Sequence, residues 1–318
     1  MRVVSGDDVR RLVPMHDAIA AVREVFIATA QGEFAPIPRI GAPSQSLFVM
    51  LAERFDRSGV RCGQSAKVVT YNEGNPSAGR PMVQGVVLWF DGETGEATQA
   101  IDGATVTSLR TGAASGVATD LFASPDASVL AMIGTGPIAH DQIRAVCAVR
   151  PIRSISIAGR DVQKAQALAL AMSTEFPEAA VRGVADAREA VAGADIICTA
   201  TTARAPLFGI REIKRDVHIN AVGSFSPSMW ELDSDVIGEA RLVCVDDLAA
   251  IQDTGDLRNA IAAKSLTAGA ASLIGTALKE ETLPMQGGIT VFKSIGIAAQ
   301  DWAIAQRVDD ALKARALR

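Results

Sequence analysis

The chain has 318 residues, about two domains' worth, with 48% hydrophobic but only 4% aromatic content and 27 Gly beside 13 Pro. Ala, Val, Ile and Leu therefore carry the apolar character, enough to build a large core, which excludes a disordered or disulfide-stapled chain. Lys plus Arg sum to 31 against 36 Asp plus Glu, a net charge of −5 with no basic stripe, so nucleic acid is excluded as a partner.

The N-terminus reaches charged residues before any apolar run of signal-peptide length, and no later stretch approaches a membrane span, so a soluble cytoplasmic protein without a membrane partner is expected. Met15, Ile19, Val22 and Phe26 fall on one face of a helix starting near Pro14, where packing suffices as a role. From about Ser65 the texture changes to β-branched runs, 65–71, 82–90 and 97–102, with an Asp-Gly-Glu-Thr-Gly turn at 91–95, which predicts an antiparallel sheet. The segment 105–123 is crowded with Ala, Gly, Ser and Thr; it reads as a connector whose small side chains let a helix lie close to another backbone or a cofactor.

From Ala127 onward apolar strands (129–134, 154–159, 194–201, 218–224) alternate with helices starting near Ile138 and Asp161, the signature of a doubly wound parallel sheet. Gly134-Thr135-Gly136-Pro137-Ile138-Ala139 matches the dinucleotide fingerprint in its proper place between strand and helix. The first glycine permits the tight turn, the second lets the backbone approach a pyrophosphate, and Ala139 allows close helix–strand packing. The next strand ends in Gly159-Arg160-Asp161. Arg160 suits the extra phosphate of NADP(H), with Asp161 capping the following helix; the alternative, NAD(H), has Arg160 in solvent and Asp161 on the ribose. Thr199, Ala200 and Thr201, and Val222, Gly223 and Ser224, end two later strands where the carboxyl edge meets its ligand, and their small side chains suit a nicotinamide. Ile297, Ile304, Val308, Ala311 and Leu312 fit one face of a last helix, expected to return to the first domain or meet a partner subunit. Cys62, Cys147, Cys198 and Cys244 form no CxxC pair and His16, His140 and His218 do not cluster with them, so no metal is expected and the compartment is expected to be reducing.

Together these motifs resemble the ornithine cyclodeaminase/μ-crystallin family. The matches are Pro38-Arg39, the strand around Lys67, the segment Ser108 to Ala114 with Arg110 and Thr111, the fingerprint, the strand end Val222-Gly223-Ser224, and residues 289–301. The resemblance implies an α/β fold of two domains: a Rossmann-type doubly wound sheet over 116–299, and a second α/β domain for substrate and dimerisation built from 1–115 plus 300–318, in a homodimer. It also implies that Arg39, Lys67 and Arg110 grip the carboxylate of a small-molecule substrate beside the nicotinamide, with Thr111 on the cofactor side and Met50 and Phe225 lining the pocket. The residues themselves agree with this in part. Lys67, flanked by Ala66, Val68 and Val69, needs a counter-ion, which a bound carboxylate would supply. Arg110 has the planar fork that suits a carboxylate. Taken alone, Lys67 as an outward strand residue and the arginines as surface ion pairs remain open.

The family's cyclodeaminases place an aspartate in a Gly-Gly-Asp segment to handle the distal ammonium of ornithine; here Phe225 stands there. Glu231 either replaces that carboxylate or starts a helix. The departure resembles members that reduce Δ1-pyrroline-2-carboxylate and Δ1-piperideine-2-carboxylate to proline and pipecolate with NAD(P)H. Ornithine cyclodeaminase, an NAD(P)-linked open-chain amino-acid dehydrogenase and a non-catalytic NADPH-binding protein are the competing expectations.

Overall fold

The computed structural model describes residues 1–42, 44, 46–280 and 287–316. Its chain divides into two compact units, Met1–Arg110 with Ile297–Arg318, and Thr111–Gly296.

The first unit is a six-stranded sheet of β1 (Arg2–Val4), β2 (Ile40–Gly41), β3 (Leu47–Phe55), β4 (Arg61–Tyr71), β5 (Val83–Phe90) and β6 (Ala97–Asp102), in the order β1-β6-β5-β4-β3-β2. β2 to β6 form an antiparallel meander, and β1 joins β6 in parallel. Side chains alternate across a pleat, so register decides which residues share a face. The row Met50–Lys67–Val87–Ile101 and the row Ala52–Ser65–Trp89–Gln99 are buried. The alternate rows Leu51–Ala66–Leu88–Ala100 and Val49–Val68–Val86–Asp102 are half-buried or exposed.

Two helices, Met15–Ala30 and the C-terminal Ala298–Ala316, pack together, and the latter also covers β3, β4 and β5. Trp302, near the start of that helix and fully buried, donates through Nε1 to the Gly63 carbonyl at 3.0 Å. Gly63 sits at φ +137°, and a Cβ there would come within 2.6 Å of the Trp89 ring, so only glycine serves. Reading the sequence by β-branched texture missed β1, β2 and β3; the first two are two or three residues long, below what a period-2 pattern can mark.

The connector is one helix, Gly103–Phe122, and the unit boundary falls inside it. Its small residues allow close approach as expected: a Cβ on Gly112 would stand 2.4 Å from the Asp141 carbonyl oxygen. Its C-terminus is capped by the buried Arg150, whose guanidinium donates to the carbonyls of Thr119, Asp120, Ala123 and Ser124, groups a helix end leaves unsatisfied.

The second unit is a wholly parallel eight-stranded sheet of β7 (Val129–Ile133), β8 (Ser154–Ala158), β9 (Ala180–Val184), β10 (Ile196–Thr199), β11 (Val217–Ala221), β12 (Ala240–Val245), β13 (Ser272–Leu273) and β14 (Ile289–Lys293). The order is β13-β12-β14-β11-β10-β7-β8-β9, so the direction of winding reverses between β7 and β10. Helices cover both faces, as near-continuous apolar strands demand. Leu130 and Met132 of β7 enter one core with Ile143, Leu168 and Met172; Ala131 and Ile133 enter the other with Val191, Ile237 and Leu257. Further along the first face the packing turns polar: His218 bonds Thr290 at 2.9 Å and Asn220 at 3.1 Å, and Asn220 donates to Thr119 at 2.9 Å. Burial pushes the His218 imidazole down to about 3, so it is neutral there. Among the described residues no helix is long and apolar enough to cross a membrane, and no cluster of three or more His, Cys, Asp or Glu is placed to hold a metal ion.

Candidate active site

In the first unit, β4 carries Lys67 to the sheet face buried by helices, beside Met50 across the β3–β4 ladder. Its ammonium is 1% exposed. The counter-ion is already in the fold: Asp301, in the first turn of the C-terminal helix and likewise 1% exposed, stands 2.7 Å from Lys67 Nζ. The expectation was that a bound carboxylate would supply it; the fold itself provides one as well. The same aspartate lies 3.4 Å from Arg110 Nε, and Gln300 accepts from Arg110 Nη1 at 2.9 Å. Thr107, one helical turn before Arg110, accepts from Lys67 at 3.4 Å. Burial pushes the Lys67 ammonium down to about 8; Asp301 opposes that shift, while the guanidiniums of Arg110 and Arg39 add to it. Arg39, on the half-buried segment before β2, stacks over Phe48 at 5.5 Å. Both guanidiniums thus act electrostatically on Lys67, and one buried carboxylate faces Lys67 and Arg110.

In the second unit the ends of β11, β10, β7 and β8 are consecutive along one carboxyl edge, which includes the winding reversal where open α/β sheets take their ligands. Gly134 sits at φ +123°, and a Cβ there would strike the Ala200 carbonyl oxygen at 2.5 Å, so the turn needs glycine. Gly136 is the N-cap of helix Pro137–Val149; no side chain caps it and nothing lies within 4 Å of its Cβ position. This uncapped helix N-terminus and the open space at Gly136 fit a pyrophosphate. Thr135 and Ile138 are half-buried beside it and Ala139 is fully buried, as close helix–strand packing requires. Gly159 makes room for Thr135, 2.8 Å from its would-be Cβ. Asp161 accepts from the amides of Gln163 and Lys164 and caps the next helix, while Arg160 is exposed at the strand end.

The remaining expected cofactor residues are held more tightly than their sequence suggested. Glu231, fully buried, starts no helix. It accepts from Thr199 Oγ1 (2.9 Å), from Thr201 N and Oγ1 (2.7 and 2.8 Å) and from Gly223 N (2.8 Å), tying the ends of β10 and β11 together. A Cβ on Gly223 would meet both Thr201 and Glu231 within 2.4 Å. Burial raises the Glu231 carboxyl, and Lys293 pulls it back down. Asp256 accepts from the amides of Glu231 and Leu232 and from Ser224 Oγ, and it pairs with the buried Lys293 at 3.3 Å. The hydroxyls of Thr199, Thr201 and Ser224 are therefore committed within the fold, which leaves Ala200, the backbone and Val222 to shape the edge. Phe225, half-buried, follows directly. Thr111 is buried, its carbonyl accepting from Gln142 at 3.1 Å. In the sequence Asp256 is not singled out, Glu231 is weighed only as a substitute carboxylate or a helix start, and Lys293 and Asp301 enter only as part of the family-like segment 289–301, with no partner assigned.

The profile of the ornithine cyclodeaminase/mu-crystallin family matches residues 2–316. Δ1-Pyrroline-2-carboxylate reductase of Bacillus cereus (strain ZK / E33L) is 35% identical over 316 residues, 96% of this chain and 95% of that protein. Among solved structures, Δ1-pyrroline-2-carboxylate reductase of Thermococcus litoralis, in complex with NADH and L-proline, superposes with a TM-score of 0.91 at 28% identity, covering 99% of this chain and 98% of that one. An archaeal alanine dehydrogenase dimer with bound NAD follows at 0.88 and 27%, covering 99% and 97%. With its Rossmann-type sheet, its second α/β unit and a family match over nearly every residue, the chain belongs to the ornithine cyclodeaminase/mu-crystallin family.

Proposed function

We propose that this protein reduces cyclic ketimine carboxylates, Δ1-pyrroline-2-carboxylate and Δ1-piperideine-2-carboxylate, to the corresponding cyclic amino acids with NAD(P)H. The observation that carries the reading is the buried pair of Lys67 and Arg110 on one carboxylate, Asp301, with Arg39 adding a third positive charge. Three cations against one anion leave an excess that suits a monocarboxylate substrate. When bound, the reduced nicotinamide supplies the hydride that adds to the imine carbon. Arg110, Arg39 and Lys67 orient the substrate through its carboxylate, which converts binding energy into alignment. Lys67 is the one proton donor of the three at ordinary pH, and its ammonium hands a proton to the imine nitrogen as the carbon takes the hydride.

The runner-up within the family, cyclisation of ornithine, needs a carboxylate able to receive a free ammonium. Phe225 stands where the family's aspartate would, and the two acidic residues bonded to the adjoining Gly223 and Ser224, Glu231 and Asp256, are both buried and bound to partners within the fold. The relatives agree in kind: the Bacillus cereus protein is named for reduction of Δ1-pyrroline-2-carboxylate, and the Thermococcus litoralis one holds NADH with L-proline. Exposed Arg160 with Asp161 committed as a helix cap favours NADP(H) over NAD(H). We assign the protein to the cytoplasm, which suits its four free thiols. A homodimer formed through the outer face of the six-stranded sheet would cover the apolar rows around Ala66 and Val68.

The test is oxidation of NADPH and NADH by purified protein with the two cyclic imines, beside ammonia release from ornithine with NAD and cofactor reduction by alanine. Turnover of a cyclic imine is expected. Ammonia and proline from ornithine, or faster turnover of alanine, would replace this reading by the competing one.

A further inference from the structure

Asp301 has the wrong charge to bind a substrate anion, yet both buried cations of the first unit face it. We propose that Asp301 is a positioning residue of the reductase site. It holds the Lys67 ammonium and the Arg110 guanidinium as one unit, set to receive the substrate carboxylate, and keeps Lys67 in the charged state from which a proton is handed to the imine nitrogen. This rests on the imine-reductase reading above.

The geometry is specific. Asp301 reaches Lys67 Nζ at 2.7 Å and Arg110 Nε at 3.4 Å, while its neighbour Gln300 takes Arg110 Nη1 at 2.9 Å, so the first turn of one helix fixes two edges of the guanidinium. The groups acting on Lys67 come from every element packed around it. Asp301 belongs to the C-terminal helix, Thr107 and Arg110 to the helix beginning at Gly103, and Arg39 to the segment before β2. Of these only Asp301 is negative. Burial and both guanidiniums disfavour the ammonium, which Asp301 alone opposes by charge. With its carboxylate removed, Lys67 would face only like charges and a neutral hydroxyl, and would shed its proton at lower pH.

Asp301→Asn keeps the shape and deletes the charge, and Asp301→Glu restores the charge. Two measurements decide. The first is the titration of Lys67 in substrate-free protein, followed by NMR of carbon-labelled lysine and assigned by the resonance lost in Lys67→Met. The second is the pH profile of kcat/KM with Δ1-pyrroline-2-carboxylate. In the wild type Lys67 titrates near 8 and kcat/KM falls above that pH. In Asp301→Asn both midpoints move down by about one pH unit or more, so that kcat/KM at the wild-type midpoint drops about fivefold or more and recovers towards acid; Asp301→Glu returns both midpoints towards the wild type. A uniform loss of activity at every pH with an unmoved midpoint would reduce Asp301 to a packing residue and overturn the proposal. Should Asp301→Asn not fold, Arg110→Met serves instead: removing a like charge moves the Lys67 midpoint upward, and an unmoved midpoint overturns the proposal equally. If the wild type turns over no cyclic imine, the reductase reading fails, while the Lys67 titration still decides whether Asp301 controls that charge.

Discussion

Arg160 is the residue on which the proposed preference for NADP(H) turns. It is exposed after β8, and its neighbour Asp161 accepts from the amides of Gln163 and Lys164, so on that proposal the ribose end of the site meets a cation rather than an anion. A charge-assisted hydrogen bond contributes about 1.5 to 3 kcal/mol, and exposure places this one at the lower end. Arg160→Ala should therefore raise the KM for NADPH about tenfold and leave that for NADH unchanged. Equal effects on the two cofactors, read from steady-state kinetics, would remove Arg160 from the site. At this scale the trio Arg39, Lys67 and Arg110 is proposed as the substrate grip on the family resemblance, since an isolated lysine in a β-branched run reads equally well as an outward residue. Its true counter-ion was not legible at all: Asp301 lies 234 positions further on, in a helix whose pattern shows only an apolar face.

At the scale of elements, the carboxyl edge of the parallel sheet is held by Glu231. Strand ends are the mobile part of such an edge, and this carboxylate gives β10 and β11 a common acceptor for two hydroxyl and two amide hydrogens. Glu231→Ala strands those donors in a dry interior and leaves Lys293 with Asp256 as its one counter-charge. Breaking a buried network of this type costs about 3–5 kcal/mol. The expected result is a large drop in the urea midpoint at unchanged m-value, with weakened dinucleotide binding in whatever folded protein remains. A loss under about 1 kcal/mol would mean the cluster is incidental. The strands themselves were predictable, because alternate residues of β7 feed two different cores and the run reads as continuously apolar. Gly134 was predictable too, since a turn at φ +123° against the Ala200 carbonyl tolerates nothing larger. Glu231 was not, because a glutamate three residues before a short helix looks like a helix start until the strands are assembled around it.

For the molecule as a whole, the outer face of the six-stranded sheet is the surface to account for. Rows of Leu51, Ala66, Leu88 and Ala100, and of Val49, Val68 and Val86, repeat the apolar composition of the inner rows but lie on the face away from the helices, with Val68 36% exposed. A second copy of the sheet would bury them, and a solved relative is described as a dimer. Val68→Lys sets a charge in that face at a cost of several kcal/mol if it is buried on association, enough to weaken the dimer about a hundredfold or more. Light scattering should show a dimer for the wild type and a monomer for the variant with unchanged circular dichroism; a variant that stays dimeric would move the interface elsewhere.

What the amino-acid sequence determined by itself was whatever physics makes local. The winding of a parallel sheet follows from apolar runs alternating with amphipathic ones, the dinucleotide turn from glycines at fixed offsets, and the close helix contact at Gly112 from a run of small residues. What only the tertiary structure decided was the placement of charge. A buried ammonium or carboxylate must be neutralised within a few ångströms, but nothing in chain chemistry says from where, so Lys67 with Asp301 and Lys293 with Asp256 became visible only when folding brought distant segments into a medium too dry to leave either charge alone.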